Sequence, residues 1–305
     1  MSKLEGVFSV LPTPFSDDGM ADLDSMRRVI DLFIGGGVNG LTALGVTGEV
    51  ARLTDAERQT VLEAVIQHVA GRVPVVAGTT AEGLRTCIEY TRNAKAAGAL
   101  AVMISPPRMA KLNSESVVRH YASVAGAVDI EIVVQDYPPI SGFTMEPSLL
   151  TRIAREIPRA RTIKLEDPPT PFKTSRILDA AQGMPLRIFG GLGGVFLLEE
   201  LLSGATGAMT GFAYPEILVE IVKSFRAGNV DHAADVFYRN VPLMRFEFQE
   251  GIGMAIRKEV LRRRGALQSA AIRAPGAKLD SVTIAALDRV LEWVGANRSL
   301  PARAT

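Results

Sequence analysis

Short apolar runs rich in Val, Ile, Leu and Ala recur along the first 210 residues, separated by segments whose apolar positions fall at helical spacing. The runs are GVFSVLP from Gly6, GLTALG from Gly40, VPVVAG from Val73, ALAVMIS from Ala99, EIVVQD from Glu131, TIKLED from Thr162, LRIFGG from Leu186 and TGAMTG from Thr206. Continuous apolar runs of this length predict strands covered on both faces, as in a parallel sheet. The intervening DLDSMRRVIDLFI, TDAERQTVLEAVIQHVA and AEGLRTCIEYTRNAKAA predict amphipathic helices. The junctions GGGVNGLTAL, KAAGALAVMI and LSGATGAMTG each end a helix on glycine or small residues before the next strand, as a helix C-cap requires. Eight strand-helix units in about 225 residues predict an α/β fold, a (β/α)8 TIM barrel over residues 1–226. A doubly wound sheet is the competing arrangement, but the first strand-helix turn reads PTPFSDDG rather than a dinucleotide-binding glycine fingerprint. Helical patterns at 231–248, 251–264 and 280–295 predict a C-terminal helical region, 227–305, packed on the barrel because no Ser- or Pro-rich linker separates the two.

Composition narrows the function. The chain has 305 residues, 47% hydrophobic and 22% charged, and a formal net charge of +1. Its 34 basic and 33 acidic residues are dispersed, which argues against nucleic acid or an anionic membrane as partner. The densest basic run, Arg262 to Arg264, is expected to be a solvated helix C-terminus, where cations complement the helix dipole. Cys87 is the single cysteine, so intramolecular disulfides are excluded, and His68, His120 and His232 lack metal-site spacing. With no apolar run of membrane-spanning length and no signal-peptide core in MSKLEG, a cytoplasmic enzyme without a metal is expected.

The candidate chemistry sits in TIKLED. Lys164 lies between Ile163 and Leu165, so a strand here half-buries an amine, and desolvation favours the free base that attacks a ketone. Side chains alternate along a strand, which puts Glu166 on the same side as Lys164, within reach for proton exchange. A structural Lys/Glu ion pair is the plain alternative. As the sixth strand of a barrel, the stretch places both residues toward the C-terminal face, where barrel enzymes work.

From these motifs the chain resembles the Schiff-base aldolases and dehydratases related to dihydrodipicolinate synthase and N-acetylneuraminate lyase. The resemblance runs nearly end to end: VLPTPFSDDGMADLDSMRRVID, the loop GVTGEVARLTDAER, GRVPVVAGT, AKAAGA before SPPRM, the IK of TIKLED, and GATGAMTG all fall where the family has counterparts. It implies that Lys164 forms an imine with pyruvate or another 2-oxo acid, that no further cofactor is needed, and that the enzyme is a homotetramer or dimer. It implies too that Val46, Thr47 and Gly48 bind the acid's carboxylate, with Gly45 and Gly48 turning amides toward the anion. Met209 of GATGAMTG joins the expected substrate contacts. So do Gly190 and Gly191 of IFGGLGGV, a stretch that reads either as an anion-binding loop or as a plain tight turn.

The departures are informative. The tyrosine that shuttles protons in the synthase and the lyase corresponds to Gln135, a neutral amide that cannot act as acid or base, with Tyr137 two residues on as a substitute. The threonine of the same relay is replaced by Val46, and the tyrosine pair after strand four by Arg108 and Met109. The synthase's arginine for its aldehyde substrate falls at Ile140. The QD-P-SG pattern after strand five together with Lys-x-Glu on strand six resembles dehydratases of 2-keto-3-deoxy sugar acids, in which Glu166 takes over the proton work. Glu49 is expected to hold its loop rather than do chemistry. The remaining readings are a dihydrodipicolinate synthase with an altered relay and a noncatalytic 2-oxo-acid sensor.

Overall fold

The computed structural model describes residues 4–295. Residues 1–3 and 296–305, to which the N-terminal reading and the end of the predicted C-terminal region extend, lie outside the described residues. The eight apolar runs form strands β1 (Gly6–Val10), β2 (Gly40–Ala43), β3 (Val75–Gly78), β4 (Ala101–Ile104), β5 (Glu131–Asp136), β6 (Thr162–Leu165), β7 (Arg187–Gly190) and β8 (Gly207–Thr210). All neighbours pair in parallel, and β8 closes on β1 through Phe8 opposite Met209.

Alternation along the strands builds two apolar layers from one sheet. Phe8, Val76, Ala101, Met103, Val133, Phe189 and Met209 fill the barrel interior together with Leu4. Residues in the opposite phase, among them Val7, Leu41, Ile104, Ile132, Ile163 and Ile188, join the larger core beneath the surrounding helices. Each such side chain contributes roughly 1.5–3 kcal/mol by leaving water. Local signals start the helices where the pattern places them. Asp22 accepts from the Ser25 amide, and Thr54 with Glu57 forms a capping box that supplies partners to two otherwise orphan donors.

Beyond β8, helix Pro215–Arg226 completes the eighth unit, and helices Val230–Glu247, Gly253–Arg263 and Ser281–Trp293 follow. They match the three predicted segments to within a residue or two, as helix ends usually allow. Charge pairs, some of them buried, tie this region down. Lys258 Nζ lies 2.5 Å from Glu49 Oε1, both side chains fully buried, and also donates to the Ala271 carbonyl at 2.8 Å. Arg273 reaches both carboxylate oxygens of Glu57 at 2.7 and 2.8 Å.

The basic run differs from expectation. Arg262 pairs with Glu259, but Arg263 bridges Glu259 and Asp288, and Arg264 binds Glu216 while stacking on Tyr214 at 4.3 Å. The side chains of Arg263 and Arg264 are only 11% and 9% exposed. Their carboxylate partners lie 25 and 48 residues away from them in sequence, so no local pattern could reveal that this helix end is an anchor rather than a solvated face.

The Glu49–Lys258 pair carries a stability prediction. Replacing Lys258 with methionine removes the fully buried cation from Glu49 and leaves that buried carboxylate with only the longer contact to Arg52 at 3.3 Å, a change that costs about 3 kcal/mol. Urea unfolding is expected to show a lower midpoint by that measure, and a loss below about 1 kcal/mol would contradict the pair's role as an anchor.

Candidate active site

Lys164 sits in the middle of β6, opposite Gln135 on β5 and Phe189 on β7, and is 4% exposed. Its Nζ lies 3.0 Å from Glu166 Oε2. The same carboxylate oxygen accepts from Gln135 Nε2 at 2.7 Å. Gln135 in turn accepts through Oε1 from Ser105 Oγ at 3.1 Å, and the Ser105 amide donates to Thr80 Oγ1 at 2.9 Å. The carboxylate decides which end of the Gln135 amide faces it: a carboxylate only accepts, so the NH2 group points to Glu166 and the Ser105 hydroxyl donates to the remaining amide oxygen. Gln135 therefore orients Glu166 and moves no proton. Glu166 fits because residue 191 is glycine, where a Cβ would stand 2.3 Å from Glu166 Cγ.

Tyr137 begins the short helix Pro138–Ser141. Burial raises its phenol above the usual tyrosine range, and the nearby Glu166 and Glu250 carboxylates push it further in the same direction. A phenol held protonated is a hydrogen-bond donor rather than a base. Asp136, in the opposite phase of β5, points away from the barrel interior to Lys173, 2.7 Å from it, and burial holds its carboxyl up at about 6.

After β2 the chain makes a 3-10 turn, Val46–Gly48, with a second, Val50–Arg52, directly behind it. The Gly48 amide donates back to the Gly45 carbonyl at 2.9 Å, so it is not aimed at an anion as expected; the amides of Val46 and Thr47 open the turn without partners inside it. Thr47 Oγ1 is buried with no hydrogen-bond partner among the described residues. Val46, half-buried, borders a cavity shared with Arg52, Gln249 and Met254. Glu49 takes the left-handed conformation, at φ 55°, that ends the turn, and it is held by Lys258 and by Arg52 at 3.3 Å. It anchors the loop.

Two expected substrate contacts are corrected. Gly190 faces outward, where a Cβ would meet Glu200 Oε2 at 1.7 Å, so its role is to admit that buried carboxyl. Met209 is fully buried within the interior cluster and packs the barrel. The IFGGLGGV stretch is a tight turn: the Gly193 amide donates to Thr210 Oγ1 at 2.9 Å, Gly194 to the Gly191 carbonyl and Val195 to the Leu192 carbonyl, which leaves these amides nothing to offer an anion. Sequence reasoning missed Ser105 and Thr80. Ser105 had a signal, since it stands two residues past Met103 in the inward phase of β4.

No group of three or more His, Cys, Asp or Glu side chains is placed to hold a metal ion among the described residues, and none of their helices is long and apolar enough to cross a membrane.

Glu200 carries a pH prediction. Burial raises its carboxyl to about 8, with Glu199 and Glu166 adding to the shift, while Thr170 Oγ1 donates to it at 2.6 Å and opposes it. Because the folded state holds this proton more tightly than the unfolded chain, the group's contribution to stability is full below about pH 4.5 and is lost as pH rises toward 8. Glu200→Gln, neutral throughout, is expected to gain on the order of 2 kcal/mol over the native chain between pH 5 and pH 9 in denaturant titrations. An equal difference at both pH values would contradict a buried neutral carboxyl.

Comparison with known proteins places these features in context. The model of the dihydrodipicolinate synthetase family matches residues 3–293. An L-2-keto-3-deoxyarabonate dehydratase from Azospirillum brasilense is 34% identical over 289 residues, 92% of each chain. A 4-hydroxy-tetrahydrodipicolinate synthase from Methanothrix thermoacetophila is 34% identical over 247 residues, 80% of this chain and 82% of that one. Among solved structures, a dihydrodipicolinate synthase from Rhodopseudomonas palustris superposes with a TM-score of 0.90 at 36% identity, covering 95% of this chain and 98% of that one. A prophage protein of the same family from E. coli K12, in complex with pyruvate, superposes with a TM-score of 0.90 at 25% identity, covering 96% of this chain and 99% of that one.

Proposed function

The chain belongs to the dihydrodipicolinate synthetase family, and from that premise we propose that Lys164 forms a Schiff base with a 2-oxo acid and that the substrate is a 2-keto-3-deoxy sugar acid, which the enzyme dehydrates. The observation that carries this reading is Glu166 Oε2, shared between Lys164 Nζ at 3.0 Å and Gln135 Nε2 at 2.7 Å. It puts one oriented carboxylate beside the amine, at the position where a 2-oxo acid's reacting carbons would lie.

The steps follow from that placement. Glu166 takes a proton from Lys164, whose free amine adds to the C2 carbonyl, and returns it to the carbinolamine hydroxyl, which leaves as water and gives the iminium. The iminium acidifies the C3 protons, and Glu166 removes one, leaving an enamine. The enamine then expels the C4 hydroxyl, to which Glu166 returns the proton so that water leaves. Hydrolysis of the conjugated imine frees Lys164. One carboxylate serves as base and then acid, and this suits a chain with Gln135 and Val46 where the synthase has its relay residues. Gln135 holds the carboxylate for both transfers, and Tyr137, kept protonated, can steady its charge. Thr47 Oγ1 and the two opening amides of its turn are the donors available to the acid's C1 carboxylate.

A synthase reading is supported by the relatives of that name, but condensation with an aldehyde acid calls for a cation where this chain has Ile140, an apolar residue 37% exposed in helix Pro138–Ser141. Losing a charge-assisted bidentate contact costs about 2 kcal/mol, roughly thirtyfold in binding.

With equal enzyme on both substrate sets, dehydration of a 2-keto-3-deoxy pentonate or hexonate, followed by NMR of the 2-oxo acid products, is expected to exceed condensation of pyruvate with aspartate semialdehyde. Glu166→Gln is expected to slow that dehydration by about 100-fold or more, the scale of removing a general acid/base. Efficient condensation with no dehydration of any sugar acid would overturn the assignment.

A further inference from the structure

Helix Gly253–Arg263 sends one side chain to the top of the barrel. Arg257, 4% exposed, lies against the backbone just past β8: a Cβ on Gly211 would stand 2.2 Å from Arg257 Nη1, 2.8 Å from its Cζ and 3.1 Å from Thr47 Oγ1. Gly211 is two residues beyond Met209, in the strand phase that faces the interior, just as Glu166 is two residues beyond Lys164. The guanidinium and the Thr47 hydroxyl therefore converge on one point at the catalytic end of the barrel.

Both groups have capacity to spare. Thr47 Oγ1 and Arg257 Nη1 are each buried and without a hydrogen-bond partner among the described residues. A buried donor left unpaired is costly, and native structures rarely keep two side by side without a use. The rest of the local charge is already committed. Arg257 Nε donates to Glu247 Oε1 at 2.5 Å, and both Glu247 oxygens accept from the Ala213 amide at 3.1 Å. The Glu49 carboxylate faces Lys258 and Arg52. Glu247 thus holds the guanidinium by one edge and leaves Nη1 free to bind an acceptor, which a charged planar donor favours strongly when that acceptor is a carboxylate.

We propose that Arg257 Nη1 and Thr47 Oγ1 together bind the C1 carboxylate of the 2-oxo acid, making Arg257 a substrate-binding residue supplied by the C-terminal helical region. The assignment rests on the Schiff-base reading above for the identity of the acid. Gly211 is part of the device, since any side chain there would displace the guanidinium.

Lactate tests the site without chemistry, because it carries the carboxylate but no ketone. Titration calorimetry is expected to show lactate binding to the native protein and a loss of affinity of about tenfold or more in Arg257→Met and in Gly211→Ala. Gly211→Ala keeps every charge and carries the test should Arg257→Met, which leaves Glu247 without its partner, fail to fold. Borohydride trapping compares pyruvate with hydroxyacetone, a ketone without a carboxylate, in the same variant: Gly211→Ala is expected to raise the half-saturating concentration of pyruvate relative to that of hydroxyacetone by about tenfold. Equal lactate affinity in native protein and Gly211→Ala, or no lactate binding to the native protein, would overturn the proposal whether or not Lys164 traps a ketone. Weakened lactate binding in a protein whose Lys164 traps nothing would uphold the carboxylate site and overturn the Schiff-base reading alone.

Discussion

A carboxylate and an ammonium buried 3.0 Å apart inside a packed barrel are tolerable only together: each compensates the desolvation of the other, and removing either leaves an unpaired charge. The site depends on this constraint. Lys164 and Glu166 come from one strand, so the backbone of β6 fixes their spacing, and the neighbouring strands supply what remains. Gln135 on β5 donates to Glu166 and is itself held by Ser105 after β4, while Gly191 after β7 clears the volume that the Glu166 side chain fills. Two strands thus meet on one oxygen atom, Glu166 Oε2, and the ends of β4 and β7 support the side chains that reach it. Preorganisation of this kind allows a single carboxylate to serve two proton transfers without a relay of hydroxyls.

The helices beyond the barrel take part in the same arrangement. Lys258 and Arg257 are adjacent in one helix and reach opposite ends of the same business: Lys258 fixes the loop after β2 through Glu49, and Arg257 lies against Gly211 beyond β8 and beside Thr47 of that loop. Both carry their charge into buried surroundings with a carboxylate partner, Glu49 for one and Glu247 for the other. Packing a helical region onto the barrel is therefore also a way of rigidifying the loop that faces the substrate. The arginines at the end of that helix, joined to Glu216 and Asp288, add further latches.

Legibility in the sequence followed the range of the interactions. Period-two alternation within TIKLED was enough to place Lys164 and Glu166 on one side, because strand geometry is local, whereas Gln135, opposite Lys164 on β5, came from the resemblance to the position of the relay tyrosine. The same rule would have found Ser105. Glycines were harder: Gly190 and Gly191 are neighbours in sequence, yet one makes room for Glu200 outside the barrel and the other for Glu166 at its mouth, a difference set by side chains 10 and 25 residues away from them in the chain. Met209 resisted for a different reason, since nothing in GATGAMTG distinguishes the layer that plugs the barrel from the layer above it. Arg257 gave no signal at all; an arginine in a helical pattern is ordinarily a surface residue, and only the fold brings it to Gly211.

The central claim is that Lys164 is a nucleophile and not merely half of an ion pair. The most direct measurement incubates the protein with pyruvate and borohydride, digests it and locates the added mass. Hydride makes the imine permanent, so the account predicts one modified peptide, the one containing Lys164, and no modification when pyruvate is omitted. Labelling at another lysine, or no labelling with pyruvate or any other 2-oxo acid, would contradict it.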